Sequence, residues 1–149
     1  EIDNYFLFSF IRNPIKRFES AFNERLQAPL SRLNKFAREN DLNTSNIDDF
    51  IEKLKKINVR KYEYHLVPQT EILKPHIVNI NFLGKVENFK DDLSCVLNKL
   101  FNKTIPSDIE FSNYSPTHDL IQKQKLSDKS IKIIKEIYYE DFKNFDYKI

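Results

Sequence analysis

The chain has 149 residues, enough for one domain with a proper core, and is 40% hydrophobic and 31% charged. A net charge of +2 does not mark a general nucleic-acid-binding surface, no apolar run approaches membrane-spanning length, and no signal-peptide pattern is visible. The lone Cys95 excludes an internal disulfide and a cysteine-based metal site, and its apolar helical setting predicts a small core filler.

From Tyr5 to Ile11 only Ser9 is polar, which predicts a strand over 5–11 covered on both faces. Pro14, with no N–H and a fixed φ, suits a first helical turn, so Asn13 is the expected N-cap of a helix over 14–27. Ile15, Phe18, Phe22 and Leu26 form its apolar stripe, and Arg17, Ser20 and Glu24 lie on a neighbouring polar face. A second helix is expected from Ser31 to Asn40. A third, capped by Ser45 or Asp48, should run through Ile57 with Ile47, Phe50, Ile51 and Leu54 inward. Residues 62–70 read as a loop, and 77–83 alternate as a strand closed by Gly84, the only glycine. Residues 86–101 predict a helix with Val86, Phe89, Leu93, Val96, Leu97 and Leu100 inward. A long polar loop over 102–119 follows, and then a last helix capped by Ser127 with Ile131, Ile134, Ile137, Tyr138 and Phe142 inward. Two strands, each followed by an amphipathic helix, imply a parallel α/β arrangement.

The junction at 11–14 is where chemistry is expected. A strand end, a helix N-terminus, the Arg12 guanidinium and the Ser20 hydroxyl together suit an anion, because free N–H groups and the helix dipole favour negative charge. The pattern R-x-P-x-x-R-x-x-S-x-F at 12–22 resembles the 3′-phosphate-binding motif of sulfotransferases that use 3′-phosphoadenosine-5′-phosphosulfate (PAPS), particularly the carbohydrate (type 2) branch. Its five fixed positions coincide by chance in about one in ten thousand chains of this length. Three further stretches resemble family elements in family order: His65-Leu66-Val67-Pro68-Gln69, the run from Phe82 to Leu93 (F-x-G-K-x-E-x-x-x-x-D-L), and the run from Tyr138 to Tyr147 (Y-x-x-D-F-x-x-F-x-Y). The resemblance spans almost the whole chain. Asn13 stands where the family usually has Asp, and Phe22 where it has Tyr.

The resemblance implies a helix-rich α/β fold, a P-loop-type three-layer sandwich with a parallel sheet, forming a single sulfotransferase domain over 1–149. It implies PAPS as sulfate donor, a hydroxyl acceptor on a glycan, no metal and no nucleic-acid partner. Arg12 and Ser20 would hold the 3′-phosphate, and Asn113 and Ser115 would contribute from a loop closing over the cofactor. Members also carry a glycine-rich loop for the 5′-phosphosulfate upstream of the Arg-x-Pro motif. Here eleven residues precede Arg12 and read as strand, so the domain is expected to be incomplete at its N-terminus and inactive as this chain alone. The other reading of that missing loop is a degenerate protein that never had it.

The family's catalytic base and loop lysine lie in that upstream part, which leaves the catalytic residues unassigned here. His65 is a candidate on the acceptor side, set against a loop histidine that orders the turn before Pro68. Glu87 reads as a helix-start or buried structural carboxylate and the aromatics of 138–147 as core. The alternatives in function are another P-loop transferase of kinase type and a non-catalytic helical interaction module. Abundant Asn, Lys and Ile is compatible with an AT-rich bacterial source and a cytoplasmic location; a eukaryotic protein of this kind would sit in the Golgi lumen. Three N-x-S/T triplets, at Asn43, Asn102 and Asn113, are close to chance in so Asn-rich a chain.

Overall fold

The computed structural model describes residues 5–26, 28, 30–59, 63–106, 108–109 and 123–148. Strand β1 (Phe8–Ile11) pairs in parallel with β2 (Phe82–Lys85), Phe10 opposite Gly84 and Ile11 opposite Lys85. Asn81 extends the pairing, its side chain accepting from the Leu7 N–H at 2.8 Å while its own N–H donates to the Leu7 carbonyl. Parallel pairing was the expectation, but both strands are shorter than the pattern predicts. β1 is not covered on both faces: Phe8 is exposed and only Ile11 is buried. Residues 77–81 are not strand, because the Ile77 and Val78 amides are spent on the Lys74 carbonyl in a turn that leaves Ile77 in solvent. Gly84 lies inside β2 rather than closing it. A Cβ there would sit 2.6 Å from the Phe10 ring, so the cross-strand aromatic requires glycine.

Asn13 caps α1 (Pro14–Ser20) as predicted, its Oδ1 accepting from the Ile15 and Lys16 amides. The helix then widens into a π-helical turn over Ala21–Arg25, with Leu26 N–H reaching the Ala21 carbonyl five residues back. Asn23 explains the break from regular α geometry. Its buried carboxamide donates to the Glu19 carbonyl at 2.9 Å, so a side chain enters the ladder. α2 (Arg32–Glu39) and α3 (Ile47–Leu54) follow. The cap of α3 is Asn46, not Ser45 or Asp48: Asn46 is the extended residue whose Oδ1 reaches the Asp48 and Asp49 amides. A short helix, α4 (Gln69–Leu73), begins within the stretch read as loop. After β2, a 3₁₀ turn (Val86–Asn88) leads into α5 (Phe89–Phe101). α5 buries only Val96 fully, which leaves Leu100 and Cys95 exposed; Cys95 is therefore not core filler. The last helix is two, α6 (Asp128–Ile137) and α7 (Tyr139–Asn144), broken at Tyr138.

The main core lies among the helices rather than on the strands. Phe18, Phe22 and Leu26 meet Leu33, Phe36 and Ala37 of α2, the Ile47–Phe50–Ile51–Leu54 stripe of α3, and Ile134, Tyr138 and Phe142. The Phe22 and Phe50 rings meet edge to face at 5.3 Å between centroids. Among the described residues no helix is long and apolar enough to cross a membrane.

Candidate functional site

The chain leaves β1 at Ile11 and enters α1 at Pro14, so Arg12 and Asn13 form a two-residue junction. Two distant side chains hold its main chain, and a third, Arg17, ties the helix that follows to the segment before Gln69. The Gln69 carboxamide grips Arg12 twice, accepting from its N–H and donating to its carbonyl, each at 2.8 Å. Glu87 accepts the Asn13 N–H at 2.7 Å and, with its other oxygen, the Tyr147 hydroxyl. Arg17 turns away from the polar helix face and spans the Val67 and Tyr64 carbonyls at 2.8 and 2.9 Å. Burial lowers the pKa of this guanidinium, with Tyr138 and Asp141 acting in the opposite sense. Asp141, fully buried, accepts the Gln69 and Thr70 amides and the Thr70 hydroxyl at 2.7–2.8 Å, so it caps α4 from 72 residues away. The Tyr138 hydroxyl donates to the Leu66 carbonyl, and burial pushes its pKa up. Gln69, Glu87, Tyr138, Asp141 and Tyr147, all taken from the later motifs, thus brace the junction that carries Arg12.

One expectation fails here. The Arg12, Asn13, Ile15 and Lys16 amides are all bonded to side chains of the protein, Pro14 has none, and Arg17 N–H is bonded to Asn13. The helix N-terminus is spent internally and offers an anion no free N–H. What the junction presents to solvent is therefore side chains rather than main-chain donors.

Those side chains surround an open cleft of about 540 Å³ lined by Arg12, Lys16, Glu19, Ser20, Asn23, Glu24 and the segment 123–126. Arg12 and Ser20 line the same cleft. No described residue pairs with the Arg12 guanidinium, whereas Ser20 donates to Glu24 at 3.1 Å and Lys16 pairs with Glu19 at 2.9 Å. Four cationic side chains, Arg12, Lys16, Lys123 and Lys125, face two carboxylates, so the lining is net positive. Glu87 is structural as expected but exposed rather than buried. His65 does not line this cleft; its Nδ1 lies 2.7 Å from Oε1 of buried Glu63. Asn113 and Ser115 lie outside the described residues. Sequence reasoning missed Lys16, Asn23, Lys123, Gln124 and Lys125. Lys16 was accessible, standing four residues before Ser20 and so on the same face of α1. The lysines at 123 and 125 showed only as an alternation of charge.

Together these features define a helix-rich α/β protein with a cationic cleft at the carboxyl end of a parallel strand, the end at which open α/β sheets bind ligands. The sequence profile of the sulfotransferase family matches residues 1–148, and the chain belongs to that family, consistent with its type 2 (carbohydrate) branch. Neither a curated protein nor a solved structure matches the chain.

Proposed function

We propose that the protein takes its sulfuryl group from PAPS, holds the 3′-phosphate of that donor with Arg12 and Ser20, and passes the group to a hydroxyl of a carbohydrate. The observation that carries this reading is the Arg12 guanidinium: its main chain is fixed on both sides, no described residue pairs with it, and it shares a cleft with the Ser20 hydroxyl. A planar guanidinium beside a hydroxyl and an ammonium suits a phosphate dianion. PAPS brings the transferable group. Arg12 and Ser20 bind and orient the nucleotide from its 3′ end, and their work is positioning. Ser20 exchanges its bond to Glu24 for one to phosphate. In this reading the strand pair belongs to a P-loop-type three-layer sandwich, and no catalytic base is assigned to a described residue.

The test is calorimetric titration of adenosine 3′,5′-bisphosphate and of 5′-AMP into the protein and its Arg12→Ala variant. A charge-assisted bond is worth about 1.5–3 kcal/mol, so the variant should lose roughly ten- to a hundredfold in bisphosphate affinity and little for 5′-AMP. Equal losses for both nucleotides would make Arg12 structural. Tighter binding of ATP than of the bisphosphate would favour a kinase-like transferase.

A further inference from the structure

The segment that enters α6 is held against the cleft by two carboxamides. Asn23, on the π-helical turn and only 6% exposed, pairs with the main chain of Gln124 on both sides: it donates to the Gln124 carbonyl at 3.1 Å and accepts the Gln124 N–H at 2.9 Å. With its third bond, to the Glu19 carbonyl, both donors and the acceptor of the Asn23 amide are used. The Gln124 side chain is committed elsewhere, accepting from the Ile47 N–H and donating to the Ser45 carbonyl. Lys123 and Lys125 flank this pinned residue, and both line the cleft with Arg12 and Ser20.

Main-chain bonds of this kind do not read the sequence of the segment; they fix its register. A slip of one residue would exchange the two lysines in the lining for two glutamines in one direction, or for glutamine and leucine in the other, and would strip Gln124 of its partners Ser45 and Ile47. The π turn matters for the same reason. It is the local change of helix geometry at the point where a buried amide serves a helix carbonyl and a chain segment 101 residues away, and such turns recur at functional sites.

We propose that Asn23 is a positioning residue for the anion cleft, that its carboxamide sets the register of 123–126 so that Lys123 and Lys125 join Arg12 in binding the ligand, and that ligand binding and docking of this segment are coupled. The proposal rests on the reading of the cleft as a 3′-phosphonucleotide site.

A double-mutant cycle tests it, with adenosine 3′,5′-bisphosphate as the probe and hydrogen exchange at the Gln124 amide as a second readout. Neutralising both lysines (Lys123→Ala with Lys125→Ala) should weaken binding about tenfold in the otherwise unaltered protein and less than about twofold in the Asn23→Ala background. The Gln124 amide should be protected, more so with bisphosphate bound, and should lose protection in Asn23→Ala. If Asn23→Ala does not fold, Gln124→Ala removes the ties to Ser45 and Ile47 without opening a buried site and should blunt the lysine effect in the same way. Equal lysine effects in both backgrounds, or a Gln124 amide that stays protected without Asn23, overturns the positioning role alone. A protein that binds no bisphosphate overturns the reading of the cleft and this proposal with it.

Discussion

Replacing Arg17 with alanine removes the one side chain that spans the Tyr64 and Val67 carbonyls, and the size of the effect follows from what is left behind. Two carbonyls lose a charged donor at 2.8 and 2.9 Å. Asp141, buried with its amide and hydroxyl donors, loses a nearby positive charge that acts on it. Hydrogen bonds to charged groups contribute about 1.5–3 kcal/mol each, and part of this is returned because Arg17 no longer has to be desolvated, so the net loss should be about 3 kcal/mol. For a domain of this size that lowers Tm by roughly 6–12 °C. Arg17→Lys should recover only part, because one ammonium cannot reproduce the planar fork. Arg12→Ala is the internal control: its guanidinium has no described partner, so its stability should stay within about 0.5 kcal/mol of the original. Urea unfolding of the three variants, with thermal scans alongside, checks the argument. A loss below about 1 kcal/mol for Arg17→Ala, or equal losses for the two arginines, would refute the division of labour between them.

Gly84→Ala should cost about 1–3 kcal/mol in urea unfolding, since its Cβ would lie 2.6 and 2.7 Å from Phe10 ring atoms and 3.0 Å from the Asp92 Cβ. Pairing it with Phe10→Leu should restore part of the loss, and an undiminished deficit in that pair would show that the ring is not the obstacle. Glu24→Gln removes the carboxylate that accepts from Ser20 and opposes an anion in the cleft. Affinity for adenosine 3′,5′-bisphosphate should rise about two- to fivefold at fixed ionic strength, and an unchanged or weaker affinity would count against the cleft as the phosphate site. Asp48 is held below its ordinary carboxylate pKa, chiefly by the hydrogen bond with Ser130; burial opposes this, and the bonds with Ser127 and the charge of Lys129 add to the lowering. A folded-state pKa below the unfolded one stabilises above the unfolded value, and that stability is lost as pH falls through the folded value. The stability gap between the protein and Asp48→Asn should therefore be widest near neutrality and close below about pH 4, as measured by urea midpoints across that range; a gap independent of pH would contradict the assignment.

Much of what depends on neighbours in the chain was legible in the sequence, although the cap of α3, local as it is, fell on Asn46 rather than on Ser45 or Asp48. The caps at Asn13 and Ser127, the apolar stripes of α1 and α3, and the break after β1 follow from helical periodicity and from proline's missing donor, which act within a few residues. Parallel pairing of the two strands followed too, since strand–helix order constrains topology. That Arg12 and Ser20 line one cleft was also readable, since Arg12 immediately precedes the cap of α1 and Ser20 ends that short helix. Strand lengths and the break at Tyr138 were not, because the amides at 77–78 turn onto Lys74 and Tyr138 reaches back to Leu66.

Tertiary structure alone decided how the junction is held and what it can offer. Gln69, Glu87 and Asp141 are polar residues whose partners lie 57, 74 and 72 positions away, and no local pattern names such partners. Once folded, Gln69 and Glu87 consume amides that a sequence reading leaves free at the start of α1, so what this junction presents to the cleft is side chains, Arg12 and Ser20 among them. The segment at 123–126 is the extreme case: Asn23 and Gln124 meet only because the helices between them pack, and that packing sets which face of the segment reaches the cleft. Local patterns follow from backbone hydrogen bonding within a turn or a strand, whereas the site depends on which distant surfaces bury one another.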